Sequence, residues 1–161
     1  MIGVTCGVAW NNHMKYVDLD VVLQEIPGEI SLAFTITGCS LRCDGCHSRH
    51  TWNKNKGDDL TVDTFQTILN KYLNLITCVV FFGGEWYEEE LIELLQLAQS
   101  RNLKTALYTG LTDVPVSIKQ HLTFLKTGPY KKENGGLASP GTNQRLVNLT
   151  NNEVLNTLLQ P

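Results

Sequence analysis

The sequence predicts an α/β protein in which parallel strands form a partial, open-sided β/α barrel of five or six strands. From residue 30 onward, segments typical of strands alternate with segments typical of helices, which indicates parallel strands joined by right-handed crossovers. The chain has 161 residues, fewer than the roughly 250 that a complete eight-unit barrel needs. Because 42% of the residues are hydrophobic, we expect one domain over residues 1–161. Residues 1–15 are expected to form a flexible or peripheral N-terminal segment.

The first predicted strand covers residues 30–37, where side chains that favour strands alternate between larger and smaller ones. Apolar side chains at helical spacing predict a helix over residues 61–75. A continuous apolar run then predicts a strand over residues 78–82 that is buried on both faces. Cys78 lies inside this run and is expected to be a core residue.

The second half of the chain continues the alternation of strands and helices. An amphipathic helix is predicted over residues 88–101, a strand over 104–108, a short helix near 116–120 and a strand near 122–126. The loops that follow parallel strands meet at one edge of a sheet, and ligands bind at that edge. The sequence therefore predicts one site, formed by the loops after the four strands.

Three cysteines, Cys39, Cys43 and Cys46, lie in the loop that follows the first predicted strand. Three thiolates in one short loop suit a 4Fe-4S cluster, whose fourth iron then lacks a protein ligand and is open to a substrate. A zinc site is an alternative, although His47 and His50 do not give a second ligand pair at finger spacing. Buried core cysteines are a further alternative, but this polar loop offers no apolar stripe for a helix to bury.

Composition and charge narrow the classes of function. The net charge of −3 argues against a broad surface for nucleic acid. The chain lacks a run of about eighteen apolar residues and a basic segment followed by an apolar one, so neither a membrane span nor a signal peptide is predicted. We therefore expect a cytoplasmic protein whose partners are proteins or small molecules.

Gly83, Gly84 and Glu85 follow the second predicted strand, as the cysteine loop follows the first. This pair of motifs resembles the radical S-adenosylmethionine superfamily. The chain is also similar to the activating proteins of anaerobic ribonucleoside-triphosphate reductase. The segments that carry this similarity are residues 25–31, 46–48, 108–110, 126–130 and 142–146, together with Trp52. Gly45 stands where many members of the superfamily carry an aromatic residue. The fold implied is the open-sided barrel already expected from the alternation.

The resemblance also implies which residues hold the cofactors. Cys39, Cys43 and Cys46 would bind the 4Fe-4S cluster. Glu85 would accept hydrogen bonds from the ammonium group of S-adenosylmethionine, and Lys126 would neutralise its carboxylate. The full set implied to contact S-adenosylmethionine is Gly45, Cys46, His47, Gly83, Gly84, Glu85, Tyr108 and Lys126, with Thr109 as an alternative to Tyr108 on the nucleoside side.

A reaction and its partners follow from the same resemblance. Reductive cleavage of S-adenosylmethionine would yield methionine and a 5′-deoxyadenosyl radical, which would take hydrogen from a glycine in the large subunit of anaerobic (class III) ribonucleotide reductase. Electrons would come from a flavodoxin-like donor. Two other functions stay open. One is a radical S-adenosylmethionine enzyme acting on a small molecule or on a different glycyl-radical enzyme, and the other is an iron-sulfur or zinc-stabilised electron-transfer module.

Overall fold

The computed structural model of the chain describes residues 13–160, which form one mixed sheet of eight strands with three α-helices and two short 3₁₀ helices. The strands are β1 Lys15–Val22, β2 Ser31–Ile36, β3 Asp58–Asp59, β4 Cys78–Phe82, β5 Lys104–Tyr108, β6 Phe124–Thr127, β7 Arg145–Asn148 and β8 Glu153–Val154. The α-helices are α1 Val62–Tyr72, α2 Glu88–Ser100 and α3 Val116–Lys119, and the 3₁₀ helices are Arg49–Thr51 and Asn156–Leu159.

The strand order is β3-β1-β2-β4-β5-β6-β7-β8. The four central strands, β2, β4, β5 and β6, run parallel to one another, as the alternation predicts. The flanking strands β1, β3, β7 and β8 pair antiparallel. The α/β class is therefore confirmed, whereas the prediction of five or six parallel strands is wrong, because the described chain has eight strands and only four are parallel. The curvature of a partial barrel stays a prediction.

The predicted elements match the observed ones closely in the centre of the sheet. Strands β4 and β5 have the predicted bounds, and the three helices end within three residues of the predicted positions. Helix α1 begins after Thr61, whose hydroxyl accepts a hydrogen bond from the backbone N–H of Thr64 at 3.1 Å. Three glutamates in the first turn of α2 complement the positive end of the helix dipole.

All three α-helices pack against one face of the sheet. The centre of this packing is a group of aromatic rings, Phe34 on β2, Phe65 on α1 and Phe81 on β4, which are fully buried. Their ring centroids lie 5.3–5.9 Å apart. Leu91, Leu94 and Leu95 of α2 extend the same core. We call this side the helical face.

The opposite side of the sheet, which we call the cavity face, has a smaller core. Its buried strand residues include Ala33, Cys78 and Ala106, whose side chains are short. Ile26 from the loop before β2 and Leu155 from the C-terminal part of the chain pack against it, together with Leu146 of β7. Cys78 is therefore a core residue, as predicted.

The predicted N-terminal segment over residues 1–15 falls only partly within the described chain. Residues 1–12 and Cys6 among them lie outside the described residues. Met14 is fully buried in the core of the helical face and Lys15 begins β1, so these two residues are part of the packed structure. Within residues 13–160, the helices are too short or too polar to cross a membrane.

Candidate functional site

A row of four side chains crosses the carboxyl ends of the parallel strands on the cavity face. Thr35, Phe82, Tyr108 and Lys126 are aligned partners in the strand register, one on each of β2, β4, β5 and β6. All four line a cavity of about 200 Å³. The loops that leave the same strand ends complete the cavity wall, as the sequence predicts.

The cysteine loop begins at a tight turn after β2. Gly38 adopts φ +101°, and its N–H donates to the carbonyl of Thr51 at 2.7 Å. A Cβ at this position would lie 2.8 Å from Nε1 of Trp86, so both the backbone angle and the packing require glycine. Trp86 Nε1 in turn donates to the carbonyl of Thr37 at 3.0 Å. This turn directs the loop across the mouth of the cavity.

The three cysteines of the loop all line the cavity, and each is half-buried. Cys46 Sγ accepts a hydrogen bond from the backbone N–H of Ser48 at 3.3 Å. Burial raises the pKa of Cys39, and backbone donors at Leu41 and Arg42 oppose that rise. Between residues 13 and 160, no three His, Cys, Asp or Glu side chains are close enough together to hold a single metal ion. Three thiols that share one cavity nevertheless match the donor set of a 4Fe-4S cluster.

Glu85 places a carboxylate on the same cavity wall. Its Oε1 accepts a hydrogen bond from the hydroxyl of Thr109, while its Oε2 is buried without a hydrogen-bond partner among the described residues. Burial raises the pKa of Glu85, and both the Thr109 hydrogen bond and the charge of Lys126 oppose that rise. Buried polar atoms normally have partners, so the vacant oxygen is suited to a donor that enters the cavity.

Lys126 lies at the end of β6 and is only 8% exposed. Its Nζ donates to the carbonyl oxygens of Gly128 at 3.0 Å and Thr109 at 3.4 Å. Burial lowers the pKa of Lys126 to about 8, although the charges of Cys43 and Glu85 favour its protonated form. The cavity thus presents one acid and one base that are both partly desolvated.

Tyr108 separates this cavity from a second one of about 660 Å³, since its side chain lines both. The Tyr108 hydroxyl donates to the carbonyl of Glu25, and its ring meets Phe82 edge-on at 5.1 Å between centroids. Burial raises the pKa of Tyr108. Tyr108 is therefore a fixed, neutral part of the wall.

A protein family described as a 4Fe-4S single cluster domain matches residues 27–132 of this chain. That range contains the three cysteines, Glu85 and Lys126. The chain belongs to this 4Fe-4S single cluster domain family. The match supports the predicted 4Fe-4S cluster over the zinc alternative. His50, a zinc candidate in the sequence, pairs with Asp18 at 3.0 Å.

The chain is also similar to the pyruvate formate-lyase-activating enzyme of Clostridium pasteurianum. The two sequences are 34% identical over 90 residues, which is 52% of this chain and 37% of that enzyme. The chain thus spans little more than a third of the length of this curated relative.

Three residues predicted from the sequence do not line the cavity of this 4Fe-4S single cluster domain. Gly84 faces the helical side, where a Cβ would lie 3.4 Å from Ile36 and 3.6 Å from Met14. The ring of His47 packs against Tyr130 with 5.0 Å between centroids. A Cβ on Gly45 would lie 3.4 Å from the ring of Tyr130. His47 and Gly45 therefore border a residue that does line the cavity.

Tyr130 and Gln144 line the cavity, although the sequence assigned them no role there. Gln144 is 6% exposed, and its Nε2 donates to the carbonyl of Gly128 at 3.4 Å. Gly128 adopts φ +100°, and a Cβ there would lie 2.9 Å from the carbonyl oxygen of Asn143. Tyr130 and Gln144 belong to the segments 126–130 and 142–146, which carry the family resemblance. That resemblance is the sequence signal that could have assigned them to the site.

Proposed function

We propose that this chain is a radical S-adenosylmethionine oxidoreductase that activates an anaerobic (class III) ribonucleotide reductase. One observation carries the proposal. Three thiols share a cavity with Glu85, whose buried Oε2 has no partner within residues 13–160, and with the desolvated Lys126. A carrier of electrons alone has no use for an acid and a base beside its cluster. The similarity to an activating enzyme supports the same class of function.

Cys39, Cys43 and Cys46 would hold the 4Fe-4S cluster, with one iron free of protein ligands. When bound, the cluster would supply the electron that splits S-adenosylmethionine into methionine and a 5′-deoxyadenosyl radical, which takes hydrogen from a glycine of the reductase. The contribution of the chain is to bind, orient and desolvate the cosubstrate.

Glu85 would accept hydrogen bonds from the ammonium group of S-adenosylmethionine through its vacant Oε2. Thr109 fixes the other carboxylate oxygen, so the acceptor is oriented before the cosubstrate arrives. Lys126 would neutralise the cosubstrate carboxylate, and a positive ligand near Glu85 would keep that group ionised. Low local polarity strengthens both interactions relative to water.

The remaining predicted contacts concern the backbone and the nucleoside. Gly83 adopts φ +81°, and a Cβ there would lie 2.5 Å from the ring of Trp86, so glycine lets the turn pass close to this ring in the cavity wall. Tyr108 would face the nucleoside. Gly45, His47 and Gly84 are proposed to act through their backbone or through neighbours.

The partners proposed are the large subunit of the anaerobic ribonucleoside-triphosphate reductase, which brings the glycine, and a flavodoxin-like electron donor. We further propose that the chain acts as one domain in the cytoplasm and binds neither nucleic acid nor a membrane. A second candidate target is a different glycyl-radical enzyme. The 34% identity to the pyruvate formate-lyase-activating enzyme is the observation that favours this second target.

Anaerobic reconstitution with iron and sulfide tests this function. With dithionite and S-adenosylmethionine, we expect 5′-deoxyadenosine, and a glycyl radical by electron paramagnetic resonance only when the class III reductase is present. A radical in pyruvate formate-lyase but not in the reductase would move the assignment to the second candidate. Absence of 5′-deoxyadenosine from protein carrying an intact cluster would refute the class of reaction.

A Glu85→Gln variant separates cosubstrate binding from cluster assembly. It keeps the size of the side chain and the hydrogen bond from Thr109 but removes the negative charge. Because a hydrogen bond to a charged group contributes about 1.5–3 kcal/mol, we expect S-adenosylmethionine to bind roughly 10- to 150-fold more weakly. Iron content should not change. Equal affinity in both proteins would remove Glu85 from the binding site.

A further inference from the structure

The segment that carries the cysteine loop has a charge opposite to that of the whole protein. Residues 39–57 contain four basic residues and one acidic residue, whereas the full chain has a net charge of −3. The net charge of this segment is thus about +3, and the rest of the chain carries about −6. A positive surface on an acidic protein concentrates its electrostatic field at one place.

Two of these cations are held in position by an aromatic ring. The guanidinium carbons of Arg42 and Arg49 lie 5.6 Å and 5.8 Å from the ring centroid of Trp52, within the range of cation–π attraction. Both arginines are exposed. Their charges are therefore kept beside the cysteine loop at the protein surface.

Two lysines lie on either side of the same loop. The Cβ of Lys54 is 3.4 Å from the position that a Gly38 Cβ would occupy, at the start of the loop. The Cβ of Lys132 is 3.9 Å from the corresponding position at Gly45. Both side chains are exposed. Together these residues form the basic patch, defined here as Arg42, Arg49, Lys54 and Lys132.

The residues of the basic patch are exposed and do not line the cavity that the three cysteines line. Ser40, Arg42 and Asp44 of the cysteine loop are exposed and lie outside the cavity lining, whereas the three cysteines are half-buried and line the cavity. A protein docked here would approach the thiols without entering the cavity. The cosubstrate and the target glycine could then use the cavity at the same time.

We infer that the basic patch docks an acidic, low-potential electron-donor protein that reduces the cluster. This inference rests on the proposed function, which requires one electron for each cleavage. In the step, the donor loses one electron and the cluster gains one, and no covalent bond forms or breaks. Opposite charges accelerate encounter of such partners and orient them, and the effect weakens as salt screens it. We therefore expect the donor to carry an acidic surface around its redox group.

Stopped-flow reduction of the reconstituted protein by a flavodoxin hydroquinone tests the inference. Lys54→Glu and Lys132→Glu each reverse one charge of the patch without touching a cysteine. We expect each to lower the second-order rate at low salt by about tenfold, and high salt to bring the variant and wild-type rates together. The matched control is Lys71→Glu in the last turn of α1, which should change the rate by less than about twofold.

Dithionite distinguishes failure of docking from failure of the proposed function. Reduction by dithionite and the yield of 5′-deoxyadenosine with dithionite should be the same in wild type, Lys54→Glu and Lys132→Glu. Equal flavodoxin rates in wild type and the patch variants would overturn the inference even if cleavage occurs. Normal flavodoxin rates combined with a weaker glycyl radical would assign the patch to the glycyl-radical enzyme instead. If neither wild type nor the variants cleave S-adenosylmethionine, the proposed function is refuted. The rates of reduction by flavodoxin would still test whether the basic patch docks the donor.

Discussion

The two faces of the sheet have different roles, since one holds the main hydrophobic core and the other borders the candidate site. The helical face is filled by large rings and by three helices, with Phe34, Phe65 and Phe81 in mutual contact. On the cavity face, the buried strand residues include Ala33 and Ala106, and none of the α-helices within residues 13–160 packs there. Large side chains on one face bury the apolar area that stabilises the fold. On the other face, the ends of the parallel strands and the loops that follow them border the space in which a cofactor can bind.

The same strands contribute to both faces, because successive side chains of a strand point to opposite sides. Phe81 belongs to the helical core, and its neighbour Phe82 lines the cavity. A stable framework therefore fixes the position of each cavity residue. This comparison predicts that substitutions on the helical face change stability, whereas those at the cavity change cofactor binding with little effect on stability.

Cys39→Ala should have the largest effect on cofactor binding. The two remaining thiols would leave two of the four irons without a protein ligand, so we expect loss of nearly all bound iron and of cleavage activity. Cys39 lies in a half-buried loop, so the free energy of unfolding of the apoprotein should change by less than about 1 kcal/mol. Iron and sulfide analysis with chemical denaturation measures both. A variant that retains a full cluster would show that Cys39 is not a ligand.

Phe81→Ala should have the largest effect on stability. The ring is fully buried between Phe34 and Phe65, and its removal leaves a cavity in the helical face. We expect a loss of about 3–5 kcal/mol in the free energy of unfolding. Denaturation of the apoprotein in urea gives the value. A loss below about 1 kcal/mol would mean that this face is not the main source of stability.

Lys126→Met should change how apoprotein stability depends on pH. The folded pKa of Lys126 is about 8, against 10.5 for the free side chain, so between these values the unfolded chain binds more protons. Stability therefore rises with pH across this window, by at most about 1.4 kcal/mol per pH unit from this group. Below pH 8 the cost of burying the charge is fully present. Met has no titrating group, so the variant should lack this rise.

Comparison of wild type with the variant isolates Lys126, because the buried tyrosines and cysteines titrate in both proteins. Urea denaturation at several values of pH measures the two profiles. Parallel profiles would show that Lys126 is well solvated when the cofactors are absent.

Cys78→Ala should have the smallest effect of these substitutions. Cys78 is fully buried on the cavity face, where burial raises its pKa to about 12 and keeps the thiol neutral. We expect a loss of about 1 kcal/mol in the free energy of unfolding and unchanged iron content. Loss of the cluster in this variant would make Cys78 a ligand and would contradict the division between core and cavity.

The sequence predicts the parallel centre of the fold far better than its flanks. The apolar runs of β4 and β5 are continuous because both faces of these strands are covered, which makes them visible without a partner. Strand β1 has two aspartates at exposed positions, Asp18 and Asp20, and owes its conformation to pairing with β2. Strand β8 has two residues and exists only through β7. Such pairings depend on tertiary structure, so a local pattern does not reveal them.

The candidate site shows the same limit. Glu85 and Lys126 directly follow or end predicted strands, and the topology of parallel strands is enough to bring them to one edge. Gln144 reaches the cavity because β7 returns antiparallel to β6, which the sequence did not predict. Gly84 faces away from the cavity because the turn after β4 alternates sides within two residues. The side toward which a single turn residue points depends on its backbone angles, which the sequence pattern does not give.

The register of Thr35, Phe82, Tyr108 and Lys126 bears on how homologous sequences can diverge. Insertion of one residue within any of these strands would turn its cavity side chain toward the helices. Insertions after the strand ends would lengthen only a loop. Among relatives, changes in chain length are therefore expected beyond Cys46, Thr109 and Gly128, whereas the four strands should keep a constant number of residues.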